Sequence, residues 1–382
     1  MIRLLKANRE RDRNISGRLK VKGIEKRKPA CRSYFYDMVS FKNGIRLIFV
    51  CPLLVCSVWA QQLVNLNSGT TAHIRGLSAV TDRVVWASGT NGQVGISTDG
   101  GNSWNWKQIP GFEKIDFRDI EAFDENTAVV MGVGSPGYVL RTTDKGKNWL
   151  VVYQNEDKRI FMDALFFWNN RAGMILGDPI DGRFFILRSF DGGQSWQEIP
   201  FSNRPPALAG EACFAASGSN IASVRRDEAV FVSGGVHTRM FLRDRAIRLP
   251  LISGLESTGA NAVATYQHNR SRRAKQIVVV GGDFSNDKID SAVCAISFDG
   301  GNSWKLPNRG PHGYRSGVVW IDAKRLVACG TSGVDISENA GLDWRSISTT
   351  GYHVCVTSKK GNTIFLAGAK GRIARLEWAR GN

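Results

Sequence analysis

Four aspartates share one local setting. Asp99, Asp144, Asp191 and Asp299 each lie two residues after a Ser or Thr, two before a Gly and five before Trp104, Trp149, Trp196 and Trp304. A worn copy, SENAGLDW, ends at Trp344 with Asn339 in the aspartate's place. A carboxylate among glycines invites a calcium loop, but such loops need several oxygen ligands and a terminal Glu over about twelve residues. Each motif here offers one constant carboxylate, and one active site does not need four dispersed copies. Walker and HExxH patterns are absent, and the sequence is read as implying neither a nucleotide nor a metal, and no cofactor. The remaining reading is structural. The aspartate accepts backbone N–H bonds in a turn, glycine adopts dihedrals closed to other residues, and tryptophan covers the sheet edge.

A second set could bind. Aligning the repeats places Arg75, Arg118, Met162, Glu211, Asn261, Arg315 and His353 at equivalent strand starts, with Asp119 and Asp163 following two of them. A ring of this mixed character suits an acidic peptide or a sugar carboxylate through charge-assisted hydrogen bonds. Its plain alternative is mutual pairing and solvation of a channel mouth. The loop GDPIDGR adds Asp178, Asp181 and Arg183, and the insertion HNRSRRAK adds Arg270, Arg272, Arg273 and Lys275. A binding role for both is weighed against an ordinary turn and a solvated loop.

The elements that must position these residues emerge from a period. The motif tryptophans are separated by 45, 47, 108 and 40 residues, so one repeat has lost its signature. Each unit reads as an alternating strand, a short hydrophobic strand ending in Gly, and a strand entering the motif, as in HIRGLSAV, RVVWASG and QVGISTDGGNSW. Seven such units cover 66–378, including a divergent one with EACFAAS as its first strand. The expected fold is all-β, a seven-bladed β-propeller with four-stranded blades. QLVNLNS at 62–68 would be the N-terminal strand that closes the ring.

The Ser/Thr-x-Asp-x-Gly-x-x-Trp repeat is that of the Asp-box, or BNR, proteins. With FRDI at 117–120, AVVMGVG and TTDKGKNW, the chain resembles the photosystem II stability and assembly factor family of secreted seven-bladed propellers. The resemblance implies a binding or assembly factor that recognises another extracytoplasmic protein or peptide through its channel rim and basic loops. The alternative is a sialidase-like hydrolase or lyase on an acidic glycan, with Arg75, Arg118 and Arg315 as arginines and Asp119, Asp163 or Glu211 as acids. The FRIP-type signature of many sialidases is absent, and neither Tyr314 nor Tyr352 can be assigned an acid partner, which favours binding over catalysis.

Charge and the amino terminus bear on location. Residues 1–46 hold fourteen Lys or Arg against four acids, ten of the seventeen net positive charges. LIFVCPLLVCSVWAQQ follows at 47–62, with Val58 and Ala60 placed for cleavage before Gln61, the order of a secretory signal peptide. Residues 1–60 are therefore expected to be a basic extension plus leader, Met38 being the alternative start, and 61–382 a single propeller domain. The mature chain is expected in the periplasm or otherwise outside the cytoplasm, monomeric, with no membrane anchor. Once the leader is set aside the nucleic-acid reading weakens. Cys213, Cys294, Cys329 and Cys355 read as buried thiols, with Cys329 and Cys355 in adjacent repeats.

Overall fold

A computed structural model describes residues 61–226, 228–267 and 273–378, within a compact unit spanning Ser57–Asn382. The leader and the alternative start at Met38 lie outside the described residues, as do Arg270 and Arg272. Strands account for the fold, joined by turns and two single-turn 3-10 segments, as the all-β expectation requires.

The strands form five antiparallel four-stranded sheets and one of eight strands. The first sheet is Ile74–Ala79, Val85–Gly89, Gln93–Ser97 and Asn105–Gln108, hydrogen-bonded in chain order. Burial grades outward across it. Val85–Gly89 is buried throughout, whereas Asn105–Gln108 is mostly exposed. A second strand covered on both faces reads as an unbroken apolar run, which is why AVVMG and LVACG carry no alternation. The eight-stranded sheet joins two groups at one pair, Gly234 with Gly259.

Inner strands Ile74–Ala79, Phe117–Ala122, Met162–Phe167, Ile221–Arg225, Thr258–Tyr266, Gly317–Trp320 and Val354–Thr357 pack in succession, and the last packs on the first. The hydrophobic clusters lie between neighbouring sheets: Trp86 and Val94 of the first meet Ile120 and Leu140 of the second. Gln61–Leu66 closes the ring, pairing antiparallel with Ile373–Trp378 from Gln61 opposite Trp378 to Leu66 opposite Ile373.

The repeated motif is a hydrogen-bonded hairpin. Ser97 Oγ donates to Asp99 Oδ1 (2.9 Å) and accepts from Gly101 N (2.8 Å). Asp99 accepts from Ser103 N and Ser103 Oγ, and Trp104 Nε1 donates to Gly101 O (3.1 Å). The pattern recurs at Ser297, Asp299, Ser303 and Trp304. Asp144 and Asp191 hold their turns alike, while Trp149 and Trp196 use their rings without an indole partner. The worn copy keeps the bonds by exchanging roles. Asn339 Oδ1 accepts from Asp343 N, and Asn339 Nδ2 donates to Asp343 Oδ2 (2.8 Å). Trp344 still bonds Gly341 O (2.9 Å).

The motif also grips the preceding sheet. A Cβ on Gly101 would lie 2.6 Å from Leu66, one on Gly193 2.8 Å from Val129, and one on Gly301 2.5 Å from Met240. All three glycines have positive φ, so both space and dihedral exclude a larger residue.

Hydrogen bonds, first those from the Ser103 and Ser303 side chains, hold Asp99 and Asp299 at a pKa of about 2. A depressed carboxylate contributes stability above its unfolded value that is lost as pH falls through the folded one. Thermal melts should therefore show a falling midpoint between about pH 4 and pH 2. Asp299→Asn should lower the midpoint at pH 7, and adding Ser303→Asp, which copies the Asn339 and Asp343 arrangement, should restore part of the loss. An unchanged midpoint in the single variant would contradict the bracing role.

Candidate functional site

The channel mouth is built from one-residue bulges. Pairing shifts register between Ile74 and Gly76, Phe117 and Asp119, Met162 and Ala164, and Ala260 and Ala262. The extra residues are Arg75, Arg118, Asp163 and Asn261, and a bulge re-aims its residue away from the ladder. His353 and Ser316 directly precede the first paired residues, Val354 and Gly317, of their strands.

Arg75, Arg118, Asn261 and His353 thus occupy the expected positions. Three others do not. Met162 pairs with Gly177 in the fully buried core, so Asp163 takes its place. Arg315 is 1% exposed, its guanidinium bound to Asp335 (2.6 Å from Nε), Tyr314 O and Ser332 Oγ. Glu211 is buried and bonded to Arg239 and Ser233. Equal spacing in a repeat cannot reveal a one-residue slip, and burial decides it.

The divergent unit departs furthest from expectation. Only Glu211–Ala212 of EACFAAS is strand, and the chain rejoins a sheet at Ile221–Arg225. Between them it crosses the channel. Cys213 N donates to Asp178 Oδ1 (2.8 Å), Arg75 Nη1 to Ala216 O (3.3 Å), Ser217 Oγ to Ser316 O, and Val263 N to Ser219 O (2.9 Å). Gly218, at φ +68°, leaves no room for a Cβ beside the Asp119 carboxylate. Small residues fit this plug, and the inner strands satisfy its backbone.

Electrostatics separate two sectors. Asp119 accepts from Ile120 N and Leu165 N (2.8 and 2.7 Å), and burial pushes its carboxyl well up. Burial and the neighbouring Asp178 do the same to Asp163, while burial raises Asp178 to about 6. A cationic sector adjoins this acidic one, Arg118 also acting on Asp163. Burial lowers the pKa of Arg75, with Arg118 adding to the effect. His353 is pushed down to about 3 by burial and then by Arg75, His73, Arg372 and Arg118, so it is neutral near pH 7. Arg118 pairs with Asp116 (2.8 Å) and lies over the Phe161 ring. Arg372 bonds Gly351 O and lies over Tyr352. His73 and Arg372 sit one residue ahead of the strands that begin at Ile74 and Ile373, at positions the ring of equivalent residues did not include.

Among the described residues, those of the two distinctive loops bond elsewhere. Asp178 is spent on the plug, Asp181 pairs with Arg159, and Arg183 bonds Arg204 O and lies over Phe201. Arg273 pairs with Glu228, and the backbone at Lys275 bonds Gly300 in a repeated motif. The inner strand Thr258–Tyr266 runs away from the mouth, so the described residues Arg273 and Lys275 lie at the other end of the sheets from Arg118. That far end carries a cavity of about 820 Å3 lined partly by Tyr266, Lys275, Phe298 and Lys324.

Residues of the hydrolase alternative are dispersed into structural bonds. Tyr314 is buried with its hydroxyl on Asn261 Oδ1 (2.7 Å), Arg315 is held by Asp335, and Glu211 by Arg239. The four cysteines are buried free thiols, and Cys329 and Cys355 do meet beside Gly317.

A carboxyl raised in the fold stabilises fully below its unfolded value, and that contribution is lost as pH rises through the folded one. The protein should therefore lose stability between about pH 4 and pH 6. Asp178→Asn, which keeps an acceptor for Cys213 N, should flatten that decline by about 2 kcal/mol in urea titrations. Parallel pH profiles for both proteins would refute the assignment.

Residues 51–158 match the family model described as photosynthesis system II assembly factor YCF48. No curated protein matches the chain. Among solved structures, YCF48 from Cyanidioschyzon merolae is 18% identical with a TM-score of 0.58, covering 83% of this chain and 99% of that one. YCF48 bound to D1 peptide is 16% identical with a TM-score of 0.57, covering 84% and 95%. The WD40 β-propeller domain of Doa1 is 13% identical with a TM-score of 0.56, covering 84% and 99%. At these identities the structures speak for the fold. The chain is thus a β-propeller in fold, and its residues 51–158 match the family model described as photosynthesis system II assembly factor YCF48.

Proposed function

We propose that this protein is a binding or assembly factor that takes an acidic peptide segment of another extracytoplasmic protein at its channel mouth. The eight-stranded sheet then counts as two blades of a seven-bladed ring, and residues 47–62 act as a leader that delivers the chain outside the cytoplasm. The observation carrying the reading is the cationic sector. His73, Arg75, Arg118, His353 and Arg372 come from neighbouring repeats, and the charges that act most on His353 are basic. Such a sector, with partly buried guanidiniums, favours a carboxylate through charge-assisted hydrogen bonds. Support comes from the YCF48 family match and from a related propeller having been solved with a D1 peptide. The plug closes the channel, so the peptide lies across the mouth rather than through it.

Fluorescence anisotropy with a fluorescein-labelled hexapeptide carrying three aspartates tests the reading. The peptide should bind, weaken with added salt, and outbind its asparagine counterpart. Arg118→Glu should cost about tenfold or more in affinity, since it places like charge in the site. Equal binding of the two peptides, or an unchanged affinity in the variant with its melt intact, would reject the assignment.

A further inference from the structure

The same end of the ring carries an apolar surface that neither the core nor the cationic sector explains. Leu208, Val236, Leu255 and Phe284 are 47%, 36%, 60% and 47% exposed. All four lie in loops at the end where the inner strands begin. Backbone bonds stitch those loops together: Glu211 N to Leu208 O, Val236 N to Gly210 O, Gly254 N to Gly235 O, and Phe284 N to Ser257 O. Scattered exposed apolar residues are ordinary, whereas a contiguous set on a rigid rim marks a contact surface.

The plug measures how far this patch lies from the cations. The Phe214 ring is 5.5 Å from that of Phe284, and the Ala216 carbonyl receives Arg75. One residue separates Phe214 from Ala216, so a chain covers the distance in two steps, about 7 Å when extended. Resting on the acidic-peptide reading, we infer that the partner segment is amphipathic, with an apolar side chain on Leu255 and Phe284 and a carboxylate two or three residues away on Arg75 and Arg118. Charge complementarity fixes one end of the segment and apolar burial the other. A peptide carrying acid alone fills only half of the surface.

Two labelled hexapeptides separate the terms. Both carry a pair of aspartates, and two residues before them stands phenylalanine in one and serine in the other. The phenylalanine peptide should bind about tenfold more tightly. Leu255→Ser with Phe284→Ser should erase that advantage while leaving the serine peptide's affinity unchanged. Arg118→Glu should weaken both peptides. Leu255→Ser alone, at the most exposed of the four positions, serves if the double variant fails to melt cooperatively, and should halve the advantage or more. Equal affinities for the two peptides in the parent protein, or a preference that survives these variants, would overturn the inference while dependence on Arg118 leaves the acidic-peptide reading standing. Loss of aspartate dependence altogether would overturn both.

Discussion

No sheet in this protein can bury its own faces, and that constraint orders everything else. The second strand of each four-stranded sheet is buried on both faces along most of its length, so the sheet is stable only between two neighbours. A linear stack would leave two terminal sheets exposed. Joining Gln61–Leu66 to Ile373–Trp378 removes both ends at once, making the last sheet from the two ends of the described chain. Leu63 and Leu66 then pack into clusters shared with the neighbouring sheets.

The Ser/Thr-x-Asp-x-Gly-x-x-Trp hairpins serve the same constraint. Their hydrogen bonds hold a turn rigid, and the rigid turn presses its second glycine against a side chain of the previous sheet. In the worn copy the exchange between Asn339 and Asp343 keeps the geometry while altering the residue types. The chemistry of the motif is therefore spent inward, on the scaffold.

At the channel mouth the bulges and the plug share the work. A bulge turns Arg75 and Arg118 out of the ladder, and the plug fills the space they would otherwise face across. Excluding water there has opposite effects on the two sectors. It holds Asp119 and Asp163 toward their neutral forms, and it leaves the Arg75 guanidinium poorly solvated.

Much of this was legible beforehand. The period of the tryptophans, the Gly-terminated apolar strands and QLVNLNS carried the repeat architecture and its closure, because burial between neighbours imposes the same pattern on every unit. Arg75, Arg118, Asn261 and His353 could be placed for the same reason. Met162, Arg315 and Glu211 could not, since a one-residue bulge or an inserted crossing leaves the apolar pattern intact while changing which side chain faces the channel. His73 and Arg372 fall just outside the ring of equivalent residues, and the Leu208 to Phe284 patch lies in loops that obey no period. Local hydrogen bonding and strand burial are properties of short segments, and those the sequence determined. Which charges converge, and what fills the centre, depend on residues distant in the chain arriving at one place, and only the tertiary structure decided that.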